Sequence, residues 1–256
     1  FYSSRIGISQ GEEIPILAGV KLVGKLDKYD IGFINMQTSE KGNEPLTNYS
    51  VARVKYDLFS QSYAGMFFSN KQSSNSFNRV IGGDAVFTSS EFLGDKTITF
   101  GTGVVKSEET NGAPNSWSAK FYIDYPNDLI NSFLTYRFIQ ENFNPGIGFI
   151  SRRGVQTYIY NLRVTPRVDW GFIRRLRFAP VESQFDLNKN NELLNADISI
   201  RPFGFSTLHG DRVDFYFNRS YDWVESPYTI FNNIIDSGKY WFNFYSLSMS
   251  TTPGRT

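Results

Sequence analysis

The stretch that most restricts the fold is Ser116–Tyr125, which reads Ser-Trp-Ser-Ala-Lys-Phe-Tyr-Ile-Asp-Tyr. Strand side chains alternate between two faces. Here Trp117, Ala119, Phe121, Ile123 and Tyr125 fall on one face, and Ser118, Lys120, Tyr122 and Asp124 on the other. The apolar face carries an aromatic ring at each end, which a strand surrounded by water has no reason to need. Trp117 and Tyr125 lie eight steps apart, roughly 26 Å at about 3.3 Å per step. A tilt of about 40° projects this to about 20 Å, close to the ~25 Å apolar band between the aromatic girdles of an outer-membrane barrel.

The pattern recurs along the chain. Alternation and turn residues predict strands at about 14–25, 29–38, 48–58, 62–70, 77–89, 96–106, 116–125, 129–141, 154–166, 172–186, 191–203, 210–224 and 238–251. Leu194, Ala196, Ile198 and Ile200 oppose Asn195, Asp197, Ser199 and Arg201; Val213, Phe215 and Phe217 oppose Arg212, Asp214, Tyr216 and Asn218. Ala52, Val54, Tyr56 and Leu58 oppose Arg53, Lys55 and Asp57, whereas Lys239–Met249 is largely apolar on both faces. A soluble sandwich would also alternate, so the connections decide. Asp27-Lys28 is tight and Ser39–Thr47 long; Ser60-Gln61 is tight and Lys71–Ser76 longer; Pro126-Asn127-Asp128 is tight and Asn142–Arg153 long. Asn188–Asn191 is short where a long connection is due. Alternating short turns and long loops are the habit of an up-and-down transmembrane barrel, and Greek-key sandwiches have no reason to follow it.

Composition narrows the alternatives. Lys and Arg total 26 against 25 Asp and Glu, so no basic field points to nucleic acid. A mean hydropathy of -0.33 and a longest apolar run of Ile14–Val20 leave no helix of the ~20 residues that spanning needs. There is no cysteine, hence no disulfide framework and no thiolate metal site. The expected fold is therefore all-β: one domain over residues 1–256, an antiparallel up-and-down transmembrane β-barrel with about 13 strands in this chain. Bacterial single-chain barrels carry an even number, so the full protein is expected to have 14 or more. Phe1 is not an initiator Met, and Thr252-Pro-Gly-Arg-Thr256 reads as a turn cut short; the chain is expected to be a segment of something longer.

Several phrases carry a resemblance: Phe1-Tyr-Ser-Ser-Arg-Ile-Gly, Pro15-Ile-Leu-Ala-Gly-Val-Lys-Leu-Val-Gly-Lys, Ser50-Val-Ala-Arg-Val-Lys-Tyr-Asp-Leu-Phe, Asn78-Arg-Val-Ile-Gly-Gly-Asp-Ala, Asn142-Phe-Asn-Pro-Gly-Ile-Gly-Phe-Ile and Ser151-Arg-Arg-Gly. Together they resemble the barrel portion of a family of Gram-negative outer-membrane proteins of unknown function. Its members carry an N-terminal domain similar to family 9 carbohydrate-binding modules. The resemblance runs over essentially the whole chain, but its phrases are structural. It implies an outer-membrane location and a sugar-binding-like domain outside this chain, and brings no catalytic residue. Ser4 stands where a second Arg is expected.

Candidate chemistry is sparse. His209, the only histidine, sits in Thr207-Leu-His-Gly-Asp211 with Ser206 nearby. A Ser–His–Asp set is what acyl transfer needs, yet three residues this close in a glycine turn seldom reach triad geometry, and a solvent-facing turn histidine is the better reading. Arg174, Arg175 and Arg177 could grip anions or lipid phosphates, or snorkel at a membrane edge. Lys120, Asp124, Asp197, Arg201, Arg212 and Asp214 are expected to face the lumen, as a selective pore lining or as a mutually neutralising network; the mixed signs favour the network. Trp117 and Tyr125 are expected in the lipid-facing girdles, with Phe121, Ile198, Val213, Phe215 and Phe217 between them. No spacing matches a calcium loop, and no cofactor is implied. The expected partners are outer-membrane lipid, including lipopolysaccharide, and other envelope proteins, with no nucleic acid. Three function classes stay open: a non-enzymatic membrane anchor or scaffold subunit of an envelope complex, a channel or uptake barrel for a solute, glycan-related solutes included, and, least favoured, a barrel hydrolase or soluble β-sandwich binding protein.

Overall fold

The structure is a computed structural model that describes residues 5–9, 11–114 and 116–252. Every regular element among the described residues is a strand. In chain order they are β1 (Ile8–Ser9), β2 (Glu12–Glu13), β3 (Ile16–Leu26), β4 (Tyr29–Thr38), β5 (Thr47–Phe59), β6 (Ser62–Gln72), β7 (Phe77–Phe92), β8 (Lys96–Glu109), β9 (Trp117–Pro126), β10 (Ile130–Ile139), β11 (Val155–Val164), β12 (Arg167–Trp170), β13 (Ile173–Leu176), β14 (Phe178–Asn188), β15 (Leu193–Thr207), β16 (Arg212–Val224), β17 (Tyr228–Ile230), β18 (Asn233–Ile235) and β19 (Gly238–Ser250). Aromatic and β-branched residues supply the strand preference.

One sheet of 15 strands runs β3-β4-β5-β6-β7-β8-β9-β10-β11-β14-β15-β16-β19, with β13 beside β15 and β12 beside β13. Apart from those two short pieces, neighbours in the sheet follow one another in sequence. β3 and β19 each pair with one neighbour only; no ring of hydrogen bonds closes the sheet among the described residues. The expected strand over 172–186 is split in two at Arg177, and the short β12 falls in the stretch 167–171 expected as a connection, just after Pro166. Pro166 has no N–H to give a ladder. Two short hairpins, β1–β2 and β17–β18, occupy segments expected as loops. Residues 253–256 of the C-terminal turn, and Ser4, lie outside the described residues.

The chain divides into two compact units, Phe1–Thr88 with Phe100–Phe121 and Arg137–Val155, and Ser89–Thr99 with Tyr122–Tyr136 and Gln156–Thr256. In the first, register sets Leu22, Phe33, Ala52, Phe68 and Ile81 in one row across β3–β7, next to the row Gly24, Ile31, Val54, Met66 and Gly83. The opposite face holds the rows Lys25, Asp30, Lys55, Gly65, Asp84 and Val23, Gly32, Arg53, Phe67, Gly82. In the second unit β15, β16 and β19 align Ile200, Phe217, Tyr245 and Phe203, Phe215, Leu247 on one face, against Asp197, Ser220, Phe242 and Gly204, Asp214, Ser248 on the other.

Many large apolar side chains stand exposed, while some charged and polar ones are buried. Leu22, Met66 and Leu247 are each more than 60% exposed, while Arg201 is 3% exposed and Thr157 1%. Soluble domains do the reverse with their largest apolar and charged groups. A small apolar cluster in the first unit is formed by Tyr49, Val51 and Ile147, with Ile6, Met36 and Phe67 packed on it.

Candidate functional site

The charged side of the sheet is where polar chemistry gathers, and each unit builds it differently. In the first unit the rows above bring Lys25 Nζ to 2.8 Å from Asp57 Oδ2 and 3.6 Å from Asp30. Lys55 lies 3.9 Å from the same Asp30 and holds its ammonium 4.1 Å from the centre of the Tyr63 ring. Arg53 grips Asp84 with two parallel bonds of 2.5 and 2.8 Å. Lys25, Asp30, Arg53 and Lys55, together with Lys21, line an open recess of about 610 Å3. Each of these carboxylates faces a cation, while the recess itself is lined by Lys21, Lys25, Arg53 and Lys55 with Asp30.

The second unit concentrates its charge. Arg177 Nη1 donates to Asp214 Oδ2 at 2.9 Å, Arg201 Nη1 lies 3.4 Å from Asp214 Oδ1, and it donates to the Tyr216 hydroxyl at 3.0 Å. Arg201 Nε and Asp214 Oδ1 are buried without a hydrogen bond. A register shift between Ile200 and Phe203 makes the room: an extra residue bends a strand, and Pro202 sits there because a bulge needs no ladder donor. Gly204 completes the space, since a Cβ on it would overlap Asp214 Oδ1. On the turn side, Arg167 and Arg175 hold Asp128 at 2.7 and 2.9 Å, and Arg167 beside it keeps the Asp128 carboxyl below its ordinary value, Arg175 adding to the effect.

The long connection after β10 folds inward within the first unit. Asn78 Nδ2 donates to the Asn144 carbonyl at 3.1 Å, Asn144 N–H to Ser107 Oγ at 2.9 Å and Asn144 Nδ2 to Glu109 at 2.6 Å. Gly146 has φ +59, and a Cβ there would run into Asn78; the position demands glycine on both counts. This seats Ile147 at 2% exposure on Tyr49 and Val51.

Of the six polar residues singled out in the sequence, the structure brings Arg201 and Asp214 together. Asp197 lies on the same face of β15 and accepts from Ser220 Oγ at 2.7 Å; Arg212 is exposed at the start of β16 on the Asp214 face. Lys120 is exposed and Asp124 half-buried on β9. Trp117 is 43% exposed, with the Lys106 ammonium 5.9 Å over its ring, and Tyr125 meets Phe92 edge-on at 6.3 Å. His209 is exposed in the turn after β15, where Asp211 closes the turn by accepting from the Thr252 N–H at 3.3 Å and by its own N–H to Thr207 Oγ1 at 3.1 Å. Among the described residues no group of three His, Cys, Asp or Glu could hold a metal, and no helix is long and apolar enough to cross a membrane.

Sequence reasoning missed one arrangement. The face of Val213, Phe215 and Phe217 continues to Arg219, Tyr221 and Trp223, and β19 answers with Asn243, Trp241 and Lys239. Carrying the same alternation from Phe217 to Trp223 would have found it. No family model, curated protein or solved structure matches the chain.

Proposed function

We propose that the chain is the membrane-embedded part of an outer-membrane β-barrel of a Gram-negative bacterium, serving as a non-enzymatic anchor or scaffold subunit of an envelope complex. One observation carries the location: rows of large apolar side chains stand exposed on one side of the sheet while Arg201, Asp214 and a set of Ser and Thr side chains are buried. Lipid removes the cost of that exposure, and a barrel is the only sheet that satisfies its backbone there. Closure into an even-numbered ring takes at least one strand more than the thirteen that follow one another from β3 to β19. The family resemblance of the sequence phrases points the same way, and implies a sugar-binding-like module carried outside the chain. Lipopolysaccharide and other envelope proteins are the partners this location supplies.

The scaffold role follows from the charge pairing. Acid–base chemistry needs a group left free to exchange protons, and a charge-selective pore uses rings of one sign; here Asp30, Asp57, Asp84 and Asp214 are each held by a cation. The recess beside Lys21, Arg53 and Lys55 favours a solute channel as the second reading. Two measurements decide. Phe121→Arg should impair assembly into lipid vesicles, at about 2–4 kcal/mol for a charge at mid-bilayer, while Lys120→Arg assembles normally; equal tolerance would remove the membrane assignment. A bilayer recording should be silent, with stoichiometric co-purification of envelope proteins. Steady steps whose ion selectivity reverses in Lys55→Glu would make the protein a channel.

A further inference from the structure

We propose that the apolar face of β16 and β19 carries a binding site for the phosphate of an anionic lipid headgroup, formed by Arg219 and Lys239 on a platform of Trp241, Tyr221 and Trp223. The proposal rests on the membrane reading above and names the lipid chemistry that the reading leaves open.

Four cations on the charged face of the sheet meet carboxylates, Lys25, Arg53, Arg177 and Arg201. Arg219 and Lys239 do not. Register places Arg219 opposite Asn243, and Lys239 opposite Trp223. The Arg219 guanidinium lies 4.5 Å from the centre of the Trp241 ring, and the Lys239 ammonium 4.9 Å from that of Trp223. Tyr221 packs on Trp241 at 4.8 Å. Neither cation has a salt bridge among the described residues, and both are exposed. A ring fixes one side of a guanidinium or ammonium and leaves its outward donors free; for Arg these form the planar fork that matches a phosphate.

The height on the strand selects the ligand. Below this cluster on the same face come Phe217 with Tyr245, Phe215 with Leu247, and Val213 with Met249, an apolar surface suited to acyl chains. From Trp241 to Met249 the strand rises eight residues, roughly 26 Å at about 3.3 Å each. Above it begins the long 225–237 connection. Two cations among aromatic rings at the border of an apolar band occupy the level of headgroups. A free anion would gain nothing from the apolar rows beneath, whereas a lipid uses both parts.

The test uses brominated lipids, which quench tryptophan on contact. The full chain, with Trp117 and Trp170 replaced by Phe so that Trp223 and Trp241 report, is folded into phosphatidylcholine vesicles. These carry either brominated phosphatidylcholine or brominated phosphatidic acid at equal fraction. The phosphatidic acid should quench more strongly, with a relative association constant that falls about fivefold for each of Arg219→Gln and Lys239→Gln, and is unchanged in Lys25→Gln. Equal quenching by the two lipids, the result of mere snorkelling, overturns the site and leaves the membrane reading standing; no quenching by either removes the membrane reading itself. Inorganic phosphate that abolishes the preference at constant ionic strength would show a site for free anion instead and overturn the lipid assignment. Native mass spectrometry of the unsubstituted chain and Arg219→Gln, comparing retained phosphatidic acid, tests the site without the tryptophan replacements: weaker retention in Arg219→Gln is expected, and equal retention counts against the site.

Discussion

Arg201 and Lys25 are both cations on the charged side of the sheet, and both lean on aspartate. Lys25, in the first unit, keeps 58% of its side chain exposed to solvent, pairs with Asp57 and shares Asp30 with Lys55. Arg201, in the second, keeps 4% and meets a carboxylate already held by Arg177. In the first case water completes whatever geometry leaves undone. In the second the backbone had to be shaped around the charges, by the shift at Ile200–Phe203 and by the bare Gly204. The difference teaches that a neutral-looking charged face contains one place where the charges hold the structure and others where they decorate it.

The strongest way to break that comparison is Asp214→Ala. It leaves Arg201 buried and uncompensated, and should cost about 3–5 kcal/mol in urea unfolding of the vesicle-folded chain. Replacing the pair together, Arg201→Met with Asp214→Leu, should recover most of the loss, because buried ion pairs are replaceable by packing. Failure of the double variant to recover would mean that Asp214 acts chiefly through Arg177. Arg53→Met comes next. It removes two charge-assisted bonds from a half-exposed Asp84 and should cost about 1–2 kcal/mol after solvent screening.

Asp128 separates exposure from location, since it belongs to the same unit as Arg201 yet lies in an exposed turn. Its carboxyl titrates below the ordinary carboxylate value because of Arg167 and then Arg175. A depressed carboxylate stabilises above its unfolded value of about 3.9, and the contribution is lost as pH falls through the folded value. Asp128→Asn should therefore be less stable than the parent at neutral pH, and the difference should shrink to nothing in acid. A difference that persists at the lowest pH would point to packing instead of charge. The smallest effect belongs to Lys25→Gln, which should be detectable at low salt and vanish when salt screens the surface.

The strands were legible because their period is a property of neighbouring residues. All thirteen expected strands have counterparts within a few residues at each end; the split at Arg177 is a local interruption of one of them, and β12 is a short addition after Pro166. The pairs within the charged faces were much less legible. Lys25 finds Asp57 across 32 residues, and Arg177 finds Asp214 across 37; which partner is reached depends on register and on a bulge, and neither leaves a spacing in the sequence. Phe231 and Asn232, both at positive φ, show why β17–β18 was read as a loop. A two-residue turn of that kind is announced by glycine or Asn-Gly, and Phe gives no such signal.

The seated loop at Asn144–Ile147 has a kinetic meaning. Its anchor on Asn78 spans 66 residues of chain, and its floor, Tyr49 and Val51, lies earlier still. Strands joined by two-residue turns can pair before such a distant contact is worth its closure entropy. The loop therefore works as a latch dropped onto a finished surface, with little part in nucleating it. Weakening the latch should leave the rate of folding nearly unchanged and speed unfolding, so the lifetime of the folded protein, more than its formation, is written in Asn-Pro-Gly-Ile.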